Sequence, residues 1–453
     1  MVTKASVDTY EQKKTALLAQ WREKIAERDS IGLQKESTNL FRHRAQRRNR
    51  LDVRHFNQII SIDTQAKIVE VEGMMTYEAL VAQTLKHGLL PTVVPELKSI
   101  TVGGAVSGIG IESSSFRYGL VHETIIEMDV LLADGKVVLA TPDNAYSDLF
   151  YAFPNSYGTL GYAIRLKIKL VSIKPYIKLS HQKFTDANAF FSAVKEICHD
   201  QRREGKIDYV DGVVFSQDQM VLTTARFVDT LPYQSRYQYM KIYYRSLLKR
   251  DEDYLTTHDY IWRWDTDWFW CSKVFGAQNL LLRALMGPKL LKSTVYRKIM
   301  SVAHGHSLLS KMINVFSTPS ESVIQDVCIP IDNAAQYFEF FNEKIGIKPF
   351  WICPIRPYRS DAIFCLFPMR DRLYVNFGFW DNIPSTNQVG FYNRQIEKKV
   401  RELGGNKSLY SDSFYTEDEF WDIYDPDHYQ QLKQKYDPQY RLRDLYSKCI
   451  ERN

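Results

Sequence analysis

The sequence predicts an α+β protein built in two parts. In the first 175 residues, stretches such as "NQIISIDTQAKIVEVEG" alternate apolar and polar residues, which predicts strands joined by tight turns. Beyond Lys174-Pro175, helix-like and strand-like segments alternate up to about residue 400. A chain of 453 residues, 45% of them hydrophobic, is long enough for two or three domains or for one large two-part enzyme.

Composition and charge exclude several classes of protein. The net charge of +6 is modest for this length and does not indicate a nucleic-acid-binding protein. The six cysteines contain no CxxC pair and no spacing typical of a metal site or a disulfide framework, so we expect free thiols in a reducing compartment. The start "MVTKASVDTYEQKK" lacks the apolar core of a signal peptide, and no apolar stretch of about 18 residues predicts a membrane span. We therefore expect a cytoplasmic protein.

The N-terminal region is predicted to be helical and then basic. Val7 to Arg28 have helical spacing of apolar residues. The next segment, Lys35 to Phe56, contains six arginines between Arg42 and Arg54. It is either a solvated basic loop or a cationic turn that faces phosphates.

The following elements are predicted in order from local signals. Two strands joined at "DTQA" lead to a helix with Thr76 as its N-cap and Gly88 as its end. "TIIEMDVLLADGKVVLAT" predicts a hairpin at Asp134-Gly135, and "NSYGTLGYAIRLKIKLVSI" predicts a glycine turn and a long strand. Later, "DAIFCLFPMRDRLYVNFGFW" predicts a hairpin near Arg370-Asp371, and a helix ends at Gly404-Gly405.

One segment of the second part has an unusual composition. His258 to Leu291 contains four tryptophans within ten residues and then a leucine-rich stretch with Arg283, Lys289 and the adjacent Lys292. It is either a buried core helix with an aromatic entry or an amphipathic lip at a membrane surface.

The glycine-rich stretch "PELKSITVGGAVSGIGIESSSFRYGL", Pro95 to Leu120, carries the strongest functional signal. It lacks the GxxxxGK[ST] pattern of a P-loop, and "IESSSFRYG" after its glycines makes a poor helix, which argues against a Rossmann fingerprint. An extended glycine loop can lay backbone N–H groups along a pyrophosphate, with serine hydroxyls as further donors. The alternative is a plain glycine-rich turn between strands.

Together with "DLFYAFPNSYGTLGYAIRLKIKL", this stretch resembles the FAD-binding domain of the vanillyl-alcohol oxidase / p-cresol methylhydroxylase (PCMH) family. The resemblance rests on TVGG, a downstream GxG, SxxYG, ADG and GxxG before a strand. It implies bound FAD, with the first stretch around the pyrophosphate and ribityl chain and the GTLG turn near the adenosine and ribityl portion. The implied cofactor-binding residues are Thr101, Gly103, Gly104, Gly108, Gly110, Ser113, Ser114, Gly119, Gly158 and Gly161.

The sequence is most similar to one branch of that family, the delta(24)-sterol reductases, from about residue 35 to 425. "GIGIESSSFRYGL", "VIQDVCIPI", "FWICPIRPY", "RLYVNFGFW" and "LYSDSFYTEDEFW" carry this resemblance. It implies NADPH-dependent reduction of a carbon–carbon double bond in a sterol or related isoprenoid lipid, as in steroid biosynthesis. Eukaryotic members have an N-terminal membrane anchor, whereas this chain starts in a polar helix, so other prenyl-like lipids are also candidate substrates.

The resemblance also implies a domain plan. We expect an N-terminal helix in 1–29, a PCMH-type FAD domain in 30–175, and an α+β cap or substrate domain in 176–410. The segment 411–453 is expected to pack back toward the FAD domain. Residues 258–292 are expected to make any peripheral membrane contact.

Reduction of an isolated alkene requires a hydride from the flavin and a proton from a general acid. The candidate acids are Tyr410, Asp412 and Tyr415 in "SLYSDSFYTEDEFW", and Asp326 in "IQDVCIPI"; we prefer Tyr415. Some relatives attach flavin covalently through His or Cys. His43 lies in the basic segment, but we expect non-covalent FAD, with NADPH as a transient electron donor and no metal.

Two other functions remain open from the sequence. One is an FAD-linked oxidase or dehydrogenase of an alcohol or sugar-derived lipid, although the HWxK-type segment and the multi-histidine run of other branches are missing. The other is a non-enzymatic, flavin-stabilised protein that binds lipid or a partner.

Overall fold

The structure is a computed structural model that describes residues 4–25, 31–36, 38–42, 49–204, 206–296, 319–359, 363–370 and 372–451. The helices in this part of the chain are α1 (Lys4–Ile25), α2 (Tyr77–Thr84), α3 (Val102–Ser107), α4 (Ser115–Tyr118), α5 (Ser147–Ala152), α6 (Ala187–Glu204), α7 (Tyr243–Ser246), α8 (Thr257–Ile261), α9 (Leu280–Leu290), α10 (Ala334–Lys344), α11 (Phe391–Glu402), α12 (Glu417–Tyr424), α13 (Pro426–Tyr436) and α14 (Leu445–Cys449). Short 3₁₀ turns occupy Leu85–His87, Val121–Thr124, Cys271–Phe275 and Ile331–Asn333.

The strands form two antiparallel sheets and one small parallel pair. They are β1 (Gly32–Gln34), β2 (Arg50–Asp52), β3 (Ile59–Asp63), β4 (Ile68–Glu72), β5 (Leu89–Pro91), β6 (Ile125–Leu131), β7 (Val137–Ala140), β8 (Tyr162–Ser172), β9 (Tyr176–Phe184), β10 (Tyr209–Ser216), β11 (Gln219–Val228), β12 (Glu252–Thr256), β13 (Ser320–Pro330), β14 (Phe350–Ile355), β15 (Tyr374–Pro384) and β16 (Asn406–Lys407). The mixture of helices and sheets confirms the predicted α+β class.

The first sheet has the order β3-β4-β8-β6-β7, and β5 pairs with β8. The predicted hairpins β3–β4 and β6–β7 are confirmed. The predicted helix is also confirmed, because Thr76 Oγ1 accepts a hydrogen bond from Ala79 N at 3.3 Å and Gly88 closes the following 3₁₀ turn with φ +67°. Strand β8 alternates buried and half-buried residues, as its sequence predicted.

The N-terminal helix α1 packs against the first sheet. Its buried residues Tyr10, Leu17 and Trp21 share an apolar cluster with residues of that sheet. The hydroxyl of Tyr10 donates to Asp129 Oδ2 at 2.6 Å. The helix runs to Ile25 as predicted, and residues 26–28 lie outside the described part of the chain.

The second sheet has the order β12-β9-β11-β10-β14-β15-β13-β16. Its first strand along the chain is β9, which begins at Tyr176. Only the three residues 173–175 separate β9 from the end of β8. Helices α6, α10 and α11 pack next to one another against it. Phenylalanine rings on α6, α10, β14 and β15 pack against one another in this interface.

The tryptophan-rich half of the segment 258–291 belongs to the core. The four tryptophans from Trp262 to Trp270 are all buried, and Trp264 packs edge-on against Trp270 and stacks on Phe269. The first alternative, an aromatic core, therefore applies to this half. The leucine-rich half forms α9 and is largely exposed.

Two local predictions are wrong. Residues 363–370 form no strand, so the hairpin around Arg370-Asp371 does not exist; β15 pairs instead with β13 and β14, through contacts such as Pro330↔Tyr374. Residue 371 itself lies outside the described residues. A turn-like dipeptide signals a reversal of the chain, but it does not identify the strand that will provide the partner edge.

The second wrong prediction concerns the glycine stretch, which is not fully extended. Its centre forms the short helix α3, and Thr101 caps it by accepting from Gly104 N at 3.3 Å. Gly103 N donates to Gly73 O at 2.9 Å, and a Cβ on Gly103 would lie 2.8 Å from that oxygen. Glycine is needed here for close backbone packing, which overrides its low helix propensity.

The C-terminal tail returns to the first sheet. Ile31 N donates to Arg441 O at 3.4 Å, and Lys435 forms an ion pair with Asp148 on α5 at 2.7 Å. The tail contains three helices, where the sequence predicted one followed by a terminal segment. Across the described residues, none of the helices combines the length and the apolar character that a membrane-spanning segment needs.

Candidate cofactor and proton-donor site

The structure brings the glycine stretch and the later GTLG turn into direct contact. Tyr157 N donates to Ser107 O at 2.9 Å, and Asn155 N donates to Gly108 O at 3.3 Å. A Cβ on Gly108 would lie 3.4 Å from the Tyr157 ring. The two segments that the resemblance assigns to FAD therefore form one continuous surface.

Most glycines assigned to FAD have a structural reason that can be read from the chain itself. Gly119, Gly158 and Gly161 have φ values of +70°, +77° and +136°, which other residues rarely adopt. A Cβ on Gly110 would lie 2.5 Å from a methyl group of Val121. These glycines shape the turns around the candidate site, and the assignment of their backbone to FAD remains a proposal.

The two serine hydroxyls assigned to FAD are occupied within the protein. Ser114 Oγ donates to Thr92 O at 2.8 Å. Ser113 Oγ lies 3.4 Å from the hydroxyl of Tyr260 in the second part of the chain. These side chains hold the end of the glycine stretch in place, and both residues are buried.

The donor groups beside this surface fit a phosphate- and hydroxyl-bearing cofactor. The hydroxyls of Ser156 and Ser411 are buried and have no hydrogen-bond partner among the described residues, a situation that costs about 1–3 kcal/mol per group. Arg42 is also buried here, with its guanidinium 5.2 Å from the centre of the Tyr157 ring. Unpaired hydroxyls and a buried cation are the partners that a ribityl chain and a diphosphate need.

Arg42 also links the basic segment to the C-terminal tail. Its Nε donates to Leu409 O at 3.0 Å and its Nη1 donates to Lys448 O at 2.6 Å. Arg42 is therefore not part of a solvated loop, and whether the basic segment faces phosphates stays a prediction. His43 and the next five residues lie outside the described part of the chain.

A carboxyl and a phenol form a pair next to this surface. Asn376 Nδ2 donates to Asp326 Oδ1 at 2.7 Å. The Tyr410 phenol lies beside the same carboxyl, and each of the two groups shifts the pKa of the other. The Trp380 indole N–H donates to the Tyr410 oxygen at 3.0 Å. Asp326 and Tyr410 are half-buried residues. The pair is therefore held by fixed partners.

The environment of the pair changes the acidity of both groups. Burial of its carboxyl raises the pKa of Asp326 to about 6. Burial, together with the Asp326 charge, raises the pKa of Tyr410 well above its usual value. A Cβ on Gly378 would lie 2.7 Å from Asp326 Oδ1, so the missing side chain makes room for the carboxyl. A carboxyl that titrates near neutral pH is suited to general-acid work.

The pair is connected to the glycine surface through the turn at 155–161. The Tyr157 hydroxyl lies 3.4 Å from Ser408 Oγ, two residues before Tyr410. Because Tyr157 also contacts Gly108, one side chain touches the candidate cofactor surface and the segment that carries the acid–phenol pair.

The structure places Tyr415 in a different environment. Its ring faces the buried ion pair between Lys407 Nζ and Glu397 Oε1, whose length is 2.6 Å; Lys407 Nζ is 5.9 Å from the ring centre. The backbone oxygen of Asp412 accepts from the same Lys407 at 2.7 Å. Of the four candidate acids, the structure thus brings together Asp326 and Tyr410, and it assigns Asp412 and Tyr415 to the surroundings of Lys407.

Sequence reasoning missed a buried ionic cluster between the two parts of the chain. Arg263 Nη1 lies 2.7 Å from Glu96 Oε1 and its Nη2 lies 2.8 Å from Asp211 Oδ2. Glu96 N donates to Glu112 Oε1 at 2.8 Å, and burial raises the pKa of Glu112. The cluster adjoins Ser113, so it fixes the end of the glycine stretch against the second sheet. In the sequence, the only signal for this cluster was that its acidic residues stand alone among apolar neighbours.

Comparisons with known proteins also indicate an FAD cofactor. The family model of the FAD binding domain matches residues 33–141. The Delta(24)-sterol reductase of Pisum sativum is 28% identical over 451 residues, covering 88% of this chain and 76% of the relative. The Delta(24)-sterol reductases of Homo sapiens and Macaca fascicularis are each 30% identical over 415 residues, covering 87% of this chain and 76% of the relative.

Proposed function

This chain belongs to the family of the Delta(24)-sterol reductases, and we propose its function on that basis. It is an FAD-dependent oxidoreductase that reduces a carbon–carbon double bond in a sterol or a related isoprenoid lipid, with NADPH as the electron donor. The observation that carries the chemical part of this proposal is the Asp326–Tyr410 pair beside the FAD-binding segment.

When bound, FAD supplies hydride transfer at its N5 atom. The chain must supply a proton to the second alkene carbon and hold the reacting groups away from water. The Asp326 carboxyl has a pKa of about 6, whereas the pKa of the Tyr410 phenol is raised above its usual value near 10. The Asp326 carboxylic acid therefore releases a proton far more readily than the Tyr410 phenol, and we assign the transferred proton to Asp326.

The partners of Asp326 then have positioning roles. The Asn376 amide holds one carboxyl oxygen, the Tyr410 phenol lies beside the carboxyl, and Trp380 fixes the orientation of Tyr410. The carboxylate that remains after proton transfer is stabilised by these donors, and it is protonated again from solvent. Tyr415, which the sequence favoured, faces an ion pair that is fully formed without it.

The glycine stretch, Arg42, Ser156 and Ser411 would hold the cofactor. Since these groups are hydroxyls, backbone amides and a guanidinium, they support a non-covalent FAD. Denaturation of the purified holoprotein should release the flavin into the filtrate. Flavin that stays on the denatured polypeptide would instead require a covalent site, and His43 would be the first residue to substitute.

The free cysteines support a reducing compartment, and we propose a cytoplasmic enzyme of lipid metabolism. The proposed reaction is tested by the visible spectrum of the purified protein under anaerobic conditions. Addition of NADPH should bleach the flavin band, and a sterol with a side-chain double bond should restore it. A band that NADPH leaves unchanged, but that an alcohol or a sugar-derived lipid bleaches, would favour the oxidase alternative. A band that no candidate bleaches would favour a non-enzymatic role.

A further inference from the structure

Helix α9 presents an unusual apolar surface. Its five leucines are all exposed, and Leu281 and Leu285 expose 78% and 83% of their surface. We call this surface the leucine face; it consists of Leu280, Leu281, Leu282, Leu285 and Leu290. Single exposed apolar residues are normal in soluble proteins, but five exposed leucines within the eleven residues of α9 mark a candidate interaction site.

The leucine face is exposed because the opposite side of α9 is fixed to the protein. Arg283 is completely buried, and its Nη1 forms an ion pair with Asp267 Oδ1 at 2.7 Å. Asn279 caps the helix by accepting from Leu281 N at 2.9 Å. The Tyr239 hydroxyl donates to Ala284 O at 3.0 Å. These bonds set the rotation of the helix and direct the leucines outward.

The surroundings of the leucine face are cationic. Residues 279–292 contain no aspartate or glutamate, and Lys289 and Lys292 are exposed at the C-terminal end of the helix. The segment 230–250, which contacts α9 through Tyr239, also contains no acidic residue and carries five arginines and lysines. Among these, Arg236 and Lys241 line a groove next to Pro288, where α9 is interrupted at Gly287.

We propose that the leucine face docks onto the surface of an anionic lipid bilayer. An apolar helix face surrounded by lysine and arginine is suited to this partner, because the leucines enter the acyl boundary while the cations remain among the headgroups. A second copy of the chain is a poorer partner, since self-association through this face would bring the same cations together. The inference does not depend on the proposed reaction, although a lipid substrate would be reached directly from such a surface.

The test is co-sedimentation of the full-length holoprotein with vesicles of phosphatidylcholine, with or without phosphatidylserine. The wild type should bind the vesicles that contain phosphatidylserine, and binding should weaken as salt is raised. Substitution of both Leu281 and Leu285 by Asn should lower the vesicle partition coefficient by roughly a hundredfold, because each buried leucine contributes about tenfold. Substitution of Lys289 and Lys292 by Gln should remove the preference for phosphatidylserine.

A matched control is Val389→Asn, which replaces an apolar residue that is 72% exposed outside this surface. It should bind vesicles like the wild type. Thermal unfolding should be unchanged in all variants, since none of the substituted residues is buried. No vesicle binding by the wild type, or equal binding by the double leucine variant, would overturn the proposal. A dimer that depends on Leu281 and Leu285 and does not bind vesicles would overturn it in favour of self-association.

Discussion

Replacement of Lys433 by Met tests how the C-terminal tail supports the candidate cofactor surface. The Lys433 ammonium donates to Asp437 Oδ2 at 2.6 Å, to Leu442 O at 2.7 Å and to Thr159 O at 2.9 Å. The side chains of Lys433 and Asp437 are both 0% exposed. Thr159 belongs to the GTLG turn, so this one side chain connects the tail to the region assigned to FAD.

The expected cost follows from the buried charge that the substitution leaves behind. Removing one partner of a buried ion pair costs about 3–5 kcal/mol. Asp437 still accepts from Arg441 N and Leu442 N, both at 2.8 Å, so we take the lower value of about 3 kcal/mol for the carboxylate. The Thr159 and Leu442 carbonyls each lose a donor, which adds about 1 kcal/mol for each of them. We therefore expect a loss of about 5 kcal/mol in the free energy of unfolding.

The control is Lys435→Met, two residues further along the same helix. Lys435 pairs with Asp148 at 2.7 Å, but its side chain is 52% exposed, so its loss should cost less than about 1 kcal/mol. Urea titration followed by tryptophan fluorescence measures both variants, and ultrafiltration measures how much flavin each retains. If Lys433→Met unfolds within about 1 kcal/mol of the wild type, the buried-charge reasoning is refuted.

Four further outcomes are expected. Asp326→Asn should leave flavin bleaching by NADPH intact but slow alkene reduction by about 10²–10⁴-fold, measured by single-turnover reoxidation of the reduced holoenzyme. In the wild type the same step should slow as pH rises above about 6, because the acid must be protonated, and this dependence should be absent in the variant. Tyr410→Phe should lower the rate of that step and shift its pH dependence, whereas Tyr415→Phe should change neither; equal effects would contradict the assignment. Gly119→Ala should weaken flavin retention and lower the free energy of unfolding, because a Cβ at this positive φ collides with the buried carboxylate of Glu123. The control is Gly88→Ala, where φ is similar but the space is open. It should cost only the backbone strain of about 1–2 kcal/mol.

The local elements of the first part could be predicted from the sequence. Alternation in residues 57–73, the N-cap at Thr76, the stop at Gly88 and the Asp134-Gly135 turn all predicted the structure correctly. Each of these signals depends on neighbouring residues, because side-chain period and turn chemistry are set within a few positions of the chain. The combination of glycine motifs was specific enough to indicate FAD and the family, which the comparisons support independently.

The tertiary structure alone decided how distant segments combine. It paired β15 with β13 instead of with its sequence neighbour, and it turned Gly103 into a helical residue against Gly73. It also brought Asp326 and Tyr410 next to each other, while Asp412 and Tyr415 lie around Lys407. These outcomes depend on burial and on contacts between residues far apart in sequence. A tyrosine or an aspartate carries no local mark of the burial and the neighbours that will shift its pKa.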